Sequence, residues 1–471
     1  MNFAKPEESR GAVLCAAEMS AQLDPRALRL IPLAMTIFCC VSGGPFGLEP
    51  VMQSGPGLAV LLILATPLVW GIPAALMTAE LATAIPSEGG YYVWVKRAFG
   101  PFAGFLCGWW TWIYTWVDAA LYPVLFATYV SSLIELFGGQ GVSDPWLKWA
   151  IGMAMVIPLT WLNIRGTRLV GLSSVLFTLL FLAPFVLLVA LGLPLIFHNL
   201  AGTVTPFSPP RQSLSTAISS GLYTVMWNYL GWDSLSTVAG EVENPRKTFP
   251  RALAIATAIT VLCYLLPSLV GAVALRDYSN WEEGAWTSVA QVVGGRWLGL
   301  AVVFAGLFSA AGLFSATLLG ASRIPFVLAR EEMLPQSMAQ LHPRYGTPWL
   351  AISISSVVYS VLSFQTFETL IAIDVIVYAA ALLLELWALV VLRKREPDLE
   401  RPFRIAGGWL GVGFVSVAPT AILVFAVVNS VVFDSEYGIR SLWMSGVALA
   451  TGPLVYGFRS WRRSRRYASA S

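Results

Sequence analysis

Two long apolar stretches of this chain are interrupted near their middles, and a membrane chain has few ways to fold around such interruptions. The first, Leu30 to Gln53, carries Ser42-Gly43-Gly44-Pro45-Phe46-Gly47, and three glycines with a proline in six residues break a helix. The second lies within Leu214 to Arg251 and reads Asn228-Tyr229-Leu230-Gly231-Trp232-Asp233-Ser234. Gly231 weakens the helix there. Asp233 puts a carboxyl near mid-membrane, where a charge costs about 2.5–3.5 kcal/mol on insertion scales. Hydrocarbon offers no hydrogen bonds, so broken backbone at that depth must be satisfied by protein or by a watery cavity. A glycine kink with a paired structural Asp would account for one such site. Two breaks at corresponding positions of two halves point instead to the binding site of a secondary transporter.

The background of these breaks is a polytopic α-helical membrane protein. Only 12% of the 471 residues are charged and 57% are hydrophobic, against about 25% charged in soluble domains. Tryptophan (19) and phenylalanine (25) are abundant, as suits membrane interfaces and an aromatic-lined cavity. The five cysteines, Cys15, Cys39, Cys40, Cys107 and Cys263, show no metal-ligand spacing and read as small apolar residues without a disulfide framework. There is no HExxH, no Walker phosphate loop and no nucleotide-binding glycine fingerprint. His198 and His342 fall at loop or membrane-edge positions. An enzyme is therefore not expected, nor a metal or cofactor. The N-terminus lacks a cleavable signal pattern, and its tail reads as cytoplasmic.

Twelve spans are expected, at about 29–53, 57–84, 102–136, 146–163, 170–197, 214–240, 250–275, 288–322, 347–364, 367–392, 411–433 and 439–458. The third and eighth are long, which implies tilt or extension beyond the bilayer. With the N-terminus inside, 24 of the 29 Lys and Arg residues fall on the inner side. Lys148, Arg211, Arg276, Arg296 and Arg440 make the outer set. That asymmetry favours an even number of spans with both termini cytoplasmic. The chain thus divides into a tail (1–28), a transporter domain (29–458) and a basic tail (459–471). A five-plus-five inverted repeat, about 29–197 and 214–392, would place the two broken spans in equivalent positions, and 411–458 would be two accessory helices. The terminal run Arg459-Ser460-Trp461-Arg462-Arg463-Ser464-Arg465-Arg466 fits anionic lipid and topology, not nucleic acid.

Transport of a small charged molecule needs exposed backbone groups, a carboxylate or two, and aromatic walls. Ser42, Gly43 and Gly44 supply the first, since freed amides favour a carboxylate and freed carbonyls an ammonium. Asp118, about 16 residues into the third span, and Asp233 lie near mid-depth. They are the candidates for cation recognition or for carrying a proton. Asp374 and Glu385, in the tenth span, read more as helix-locking carboxyls. Trp227, Tyr229 and Trp232 flank the second break, Phe46 the first, and Tyr378 lies mid-depth in the tenth span. A cation could stack on such faces, although any one of them is more often packing.

Several motifs carry a resemblance. Ser42 to Glu49 resembles the first-helix break of the amino acid–polyamine–organocation superfamily of permeases. Glu80-Leu81-Ala82-Thr83-Ala84-Ile85-Pro86, then Glu88-Gly89-Gly90-Tyr91-Tyr92-Val93-Trp94-Val95 and Gly100-Pro101-Phe102, resemble the signature after their second helix. Trp232-Asp233-Ser234 with Ala239-Gly240-Glu241-Val242-Glu243-Asn244-Pro245, and Val117-Asp118 with Ala120-Leu121-Tyr122-Pro123, are similar to the polyamine-uptake branch. The resemblance covers nearly the whole length. It implies a LeuT-like twelve-helix fold, alternating access, proton-driven uptake, and a site between helices one, three, six, eight and ten. Ser42, Gly43 and Gly44 would meet the substrate's charged end and Trp227 would wall the site. Asp233 would be a gating or coupling acid, Asp118 an acid typical of polyamine carriers, and Tyr378 a helix-ten aromatic. Departures stand beside it. Ala119 replaces an Asn, Ser315 in Leu313-Phe314-Ser315-Ala316 replaces a Glu, Leu230-Gly231 replaces Asn-Tyr, and 170–197 holds no Lys.

The expectation is a proton-coupled importer of an amino acid or polyamine in the plasma (inner) membrane. Sodium stays open as the coupling ion, because its sites use carbonyls and hydroxyls. An exchanger, or a non-transporting membrane sensor, is the alternative.

Overall fold

Both expected breaks are present in the computed structural model, which describes residues 29–468 apart from 88, 211, 237–241, 279–280 and 434. Helix α1, Leu30–Val41, stops at Ser42, and the chain returns to a helical turn only at Glu49–Ser54, as a 3-10 segment. The later broken helix, Leu214–Asn228, is followed by irregular backbone through Asp233. The tail 1–28, Glu88 and Ala239-Gly240-Glu241 lie outside the described residues.

Between the breaks come α2, Pro56–Ala84, α3, Gly90–Phe99, α4, Pro101–Leu136, α5, Pro145–Arg165, and α6, Thr167–His198. Helix α2 loosens into a π turn at Pro67–Gly71, where Pro67 has no N–H to continue the ladder. The helix Leu214–Asn228 is α7, followed by α8, Pro245–Ala274. Then come α9, Ala285–Gly294, α10, Arg296–Ala321, α11, Arg323–Arg330, α12, Trp349–Leu362, α13, Phe367–Arg395, α14, Gly408–Phe433, and α15, Ser435–Ala468.

Among the described residues, eight helices are long and apolar enough to cross a membrane, and α1 and α12 are shorter apolar helices. The stretch expected as one long span at 288–322 is two helices. Gly294 and Gly295 are adjacent, and Gly295 adopts φ of 76°, which ends α9 before α10 begins. The short helix α3, which carries Lys96 and Arg97, lies between the expected spans 57–84 and 102–136.

Helix α4 is the hub, packing most extensively against α10 and α13, while α1 rests on α8 and α10 rests on α6. Helix α6 turns Leu172, Leu179 and Val186 outward, an apolar face suited to lipid. One end of the bundle is laced by ion pairs: Arg29 with Glu243 at 3.2 Å, Lys96 with Glu331 at 2.5 Å, Arg97 with Glu396 at 2.7 Å and Arg246 with Glu400 at 2.9 Å. At the same end Glu80, on α2, lies between Arg393 and Arg401.

Candidate functional site

A helix that stops inside a membrane frees backbone groups, and each must find a partner. Around these two breaks neighbouring side chains supply many of them. The Gly43 carbonyl accepts from the Ser309 hydroxyl on α10, the Pro45 carbonyl from Trp286 Nε1 on α9 at 2.7 Å, and the Gly47 carbonyl from Asn228 Nδ2 at 3.3 Å. On the other break, Tyr264 of α8 donates to the Asn228 carbonyl at 2.7 Å, and Trp232 Nε1 donates to the Tyr229 carbonyl at 3.0 Å. The Gly44 N–H donates back to the Ser42 hydroxyl at 3.2 Å. The expected free backbone at Ser42, Gly43 and Gly44 is thus partly capped from within.

The glycines let the two breaks touch. Gly231 has φ of 85°, and a Cβ there would stand 2.8 Å from the Cys40 carbonyl oxygen at the end of α1. A Cβ on Gly47, at φ of 79°, would stand 2.7 Å from the Trp227 ring. Any L side chain at either place meets both backbone strain and a contact it cannot clear.

Asp118 and Trp227, chosen separately from sequence, are bonded to each other. Trp227 Nε1 donates to Asp118 Oδ1 at 3.3 Å. Oδ2 accepts from the Tyr122 hydroxyl at 2.7 Å, one turn on in α4, and from the Thr317 hydroxyl of α10 at 3.2 Å. Every one of these donors is neutral. Asp233 and Tyr378 are also brought together. The Tyr378 hydroxyl donates to Asp233 Oδ1 at 2.7 Å and accepts from the Gly231 N–H at 3.3 Å. Tyr378 therefore ties the second break to α13, and its ring packs edge-on against Tyr114 of α4 at 4.9 Å. Tyr114 in turn shares a hydrogen bond with Ser234 at 3.3 Å.

These contacts surround an internal cavity of about 30 Å³, whose lining includes Ser42, Gly43, Asp118, Trp227 and Gly231. That is room for about one or two waters. Gly44, Asp233 and Tyr378 stand outside the lining, Gly44 bonded to Ser42 and Tyr378 to Asp233. Tyr91 is also a lining residue. It follows Gly90, where a Cβ would meet Ser236 at 2.3 Å, so the motif after α2 presses directly on the chain beyond Asp233.

Thr317, Ser309 and Tyr264 were not read from the sequence, and Tyr122 and Asn228 stood there only within quoted motifs, with no role given to them. All five are ordinary helix residues until the fold sets them opposite a freed group or a buried acid. Ser315, the position lacking an acid, is fully buried and accepts from Asn163 Nδ2 of α5 at 3.0 Å. Glu49 was missed as well. It is buried, and its Oε1 accepts from the Tyr129 hydroxyl at 2.6 Å and from the Gly284 N–H at 3.2 Å. Among the described residues, no group of three or more His, Cys, Asp or Glu could hold a metal ion.

Comparison with known proteins gives this arrangement a family. A solved structure, MhsT in complex with L-phenylalanine, superposes with a TM-score of 0.62 over 86% of this chain and 99% of its own, at 16% sequence identity, so the two share a fold. A polyamine transporter of Arabidopsis thaliana is 37% identical over 84% of this chain and 79% of its own length. One from rice, Oryza sativa subsp. japonica, is 38% identical over 84% of this chain and 73% of its own. The family model described as amino acid permease matches residues 28–449, and the chain belongs to that family.

Proposed function

We propose that the protein imports an amino acid or polyamine across the plasma (inner) membrane by proton symport and alternating access. Twelve spans, with both termini cytoplasmic, form a five-plus-five inverted repeat and two accessory helices. The substrate sits where the breaks meet. Ser42, Gly43 and Gly44 face its charged end, Asp118 takes an ammonium group, Trp227 walls it, and Asp233, held by Tyr378, carries the proton.

One observation carries this reading: two broken helices meet at a cavity beside a buried acid whose hydrogen-bond donors are all neutral. A carboxylate so placed lacks a counter-charge, which a cationic cargo or a proton supplies. The names of the two plant relatives favour the cationic end of the substrate range. Alternating access belongs to the reading because a cavity of about 30 Å³ holds no amino acid, whereas ligand pockets run to about 300–1,000 Å³.

Uptake into proteoliposomes tests it, with labelled putrescine, spermidine and a panel of amino acids under an imposed pH gradient, acidic outside. Accumulation driven by that gradient is expected. Movement only against preloaded substrate would make the protein an exchanger, a sodium requirement would replace the coupling ion, and binding without movement would make it a sensor.

A further inference from the structure

Helices α5 and α12 show the same order of exposed side chains toward one end of the bundle. They lie side by side, with the Thr160 hydroxyl donating to the Ser356 hydroxyl at 2.9 Å and Trp149 Nε1 donating to the Ser360 carbonyl at 2.7 Å. On α5, Ile157, Trp161 and Arg165 follow one another at four-residue spacing, which sets them on one face. Ile157 is 67% and Trp161 55% exposed, and Arg165 is exposed as well. On α12, the exposed Val361 and Val357 lead along one face to the exposed Trp349. Apolar side chains, then an aromatic ring, then a cation is the order met in passing from acyl chains to lipid headgroups.

The cations at the end of these faces are held without a carboxylate. Arg165 lays its guanidinium over the Trp161 ring, 3.6 Å from the centroid. The turn before α12 carries Arg344, whose guanidinium stands 5.6 Å from the centroid of the Tyr345 ring, and that ring stacks on His342 at 4.7 Å. The Thr347 hydroxyl pins the turn to the end of α5 by donating to the Ile164 carbonyl at 2.6 Å, next to Arg165. The loop that carries this turn begins at Glu331, the partner of Lys96, and so belongs to the ion-paired end of the bundle. There Arg97, Arg246 and Arg393 face carboxylates, whereas among the described residues Arg165 and Arg344 join no ion pair. A guanidinium stacked on a ring keeps its in-plane N–H groups for an incoming acceptor. His342 adds a donor: its Nδ1 accepts from the Arg344 N–H at 3.2 Å, which leaves Nε2 as the nitrogen that carries the hydrogen. His342 and Trp349 line an open groove of about 580 Å³.

We propose that this cleft is a headgroup site for one anionic phospholipid. The lipid phosphate meets Arg344 and His342 at the groove, with Arg165 beside it. Trp161 and Trp349 flank the glycerol region, and the acyl chains lie along Ile157, Val357 and Val361. A zwitterionic lipid offers the same phosphate but brings a cationic group that two unpaired guanidiniums repel, so the site selects net negative charge. The inference is independent of the cargo that the central cavity takes.

Native mass spectrometry of the purified full-length protein tests it, with phosphatidylglycerol and phosphatidylcholine of matched acyl chains added separately. Wild type should hold one phosphatidylglycerol about tenfold more tightly than phosphatidylcholine. Arg165→Gln and Arg344→Gln should each weaken phosphatidylglycerol about fivefold, and the double variant should bind the two lipids alike. Lys394→Gln removes an exposed cation from the same end and should change nothing. Where a glutamine variant does not fold, Trp161→Leu removes the ring that holds Arg165 and carries the same comparison. An equal loss in Lys394→Gln would reduce the site to diffuse surface charge and overturn the proposal. So would equal affinity of wild type for the two lipids, or an unchanged double variant. Inorganic phosphate that displaces the lipid at equal concentration would make this a free-anion site and overturn it too.

Discussion

Glu80 and Asp118 are both buried acids, and the fold treats them in opposite ways. Glu80 Oε1 accepts from Arg393 Nε at 2.7 Å, its other oxygen accepts from Arg393 Nη2 and from the Ile405 N–H at 2.9 Å, and Arg401 approaches at 3.3 Å. Its charge is matched by fixed guanidiniums, and the cluster clasps α2 to the C-terminal end of α13 and the loop beyond it. Among the described residues, the side-chain donors to Asp118 and Asp233 are all neutral: phenols, an indole and a hydroxyl. Geometry orients them, but no protein cation among those donors matches their charge. A permanently paired acid holds structure together, whereas one lacking a fixed counter-charge is available to a cation or proton that comes and goes.

The strongest way to break that contrast is at the clasp. Glu80→Gln should cost about 3–5 kcal/mol, because it strands the buried Arg393 guanidinium. Little folded protein should survive detergent extraction, or unfolding should begin far below the wild-type temperature, and substrate affinity of any folded fraction should be unchanged. A variant that melts like wild type but no longer transports would place Glu80 in the mechanism and end the contrast. Asp233→Asn should do the reverse. It should abolish pH-driven uptake, leave exchange of substrate partly intact, and keep or raise thermal stability, since an amide in that place carries no charge to match. Unchanged uptake at every pH would take Asp233 out of coupling.

The two breaks were legible because glycine and proline act locally: three glycines and a proline stop α1 whatever surrounds them. The acids' positions were equally legible, because a carboxyl inside an apolar run stands out. Their partners were not. Trp227 reaches Asp118 across 109 residues of chain and Arg393 reaches Glu80 across 313, and such contacts follow from helix packing that local pattern does not encode. Composition and charge asymmetry likewise said membrane helices, yet Gly294-Gly295 was absorbed into one apolar run, and only the backbone there separates α9 from α10. The reading of Asp374 as a helix-locking carboxyl meets a different obstacle. A lock needs a partner on the other helix, and neither oxygen of Asp374 has one.

Smaller changes sharpen the comparison at the cargo side. Asp118→Asn should weaken a cationic substrate several-fold or more and spare a neutral one, measured by ligand-dependent thermal shift across the panel. Equal affinity for both would leave Asp118 structural, closer to Glu80 than the contrast allows. Tyr378→Phe should cost about 1 kcal/mol of stability, since its hydroxyl joins Asp233 to the Gly231 N–H, and should slow uptake more than it weakens binding. An equal loss of both would mean that the hydroxyl serves the bound state alone.

Arg29 and Glu243 set the lower end of the scale. They pair at 3.2 Å, but their side chains are 81% and 50% exposed, so water and salt screen them in a way that neither Glu80 nor Asp118 experiences. Arg29→Gln should change stability by only about 0.2–1 kcal/mol, less in high salt. The pair nevertheless joins the chain just before α1 to the chain just before α8, on either side of the two breaks. If the unpaired variant transports at the wild-type rate, the ion pair is surface decoration. If uptake changes several-fold while the melting temperature does not, its worth lies in favouring one orientation of the broken helices. Exposed charge would then govern the motion that the buried, unmatched acids exploit.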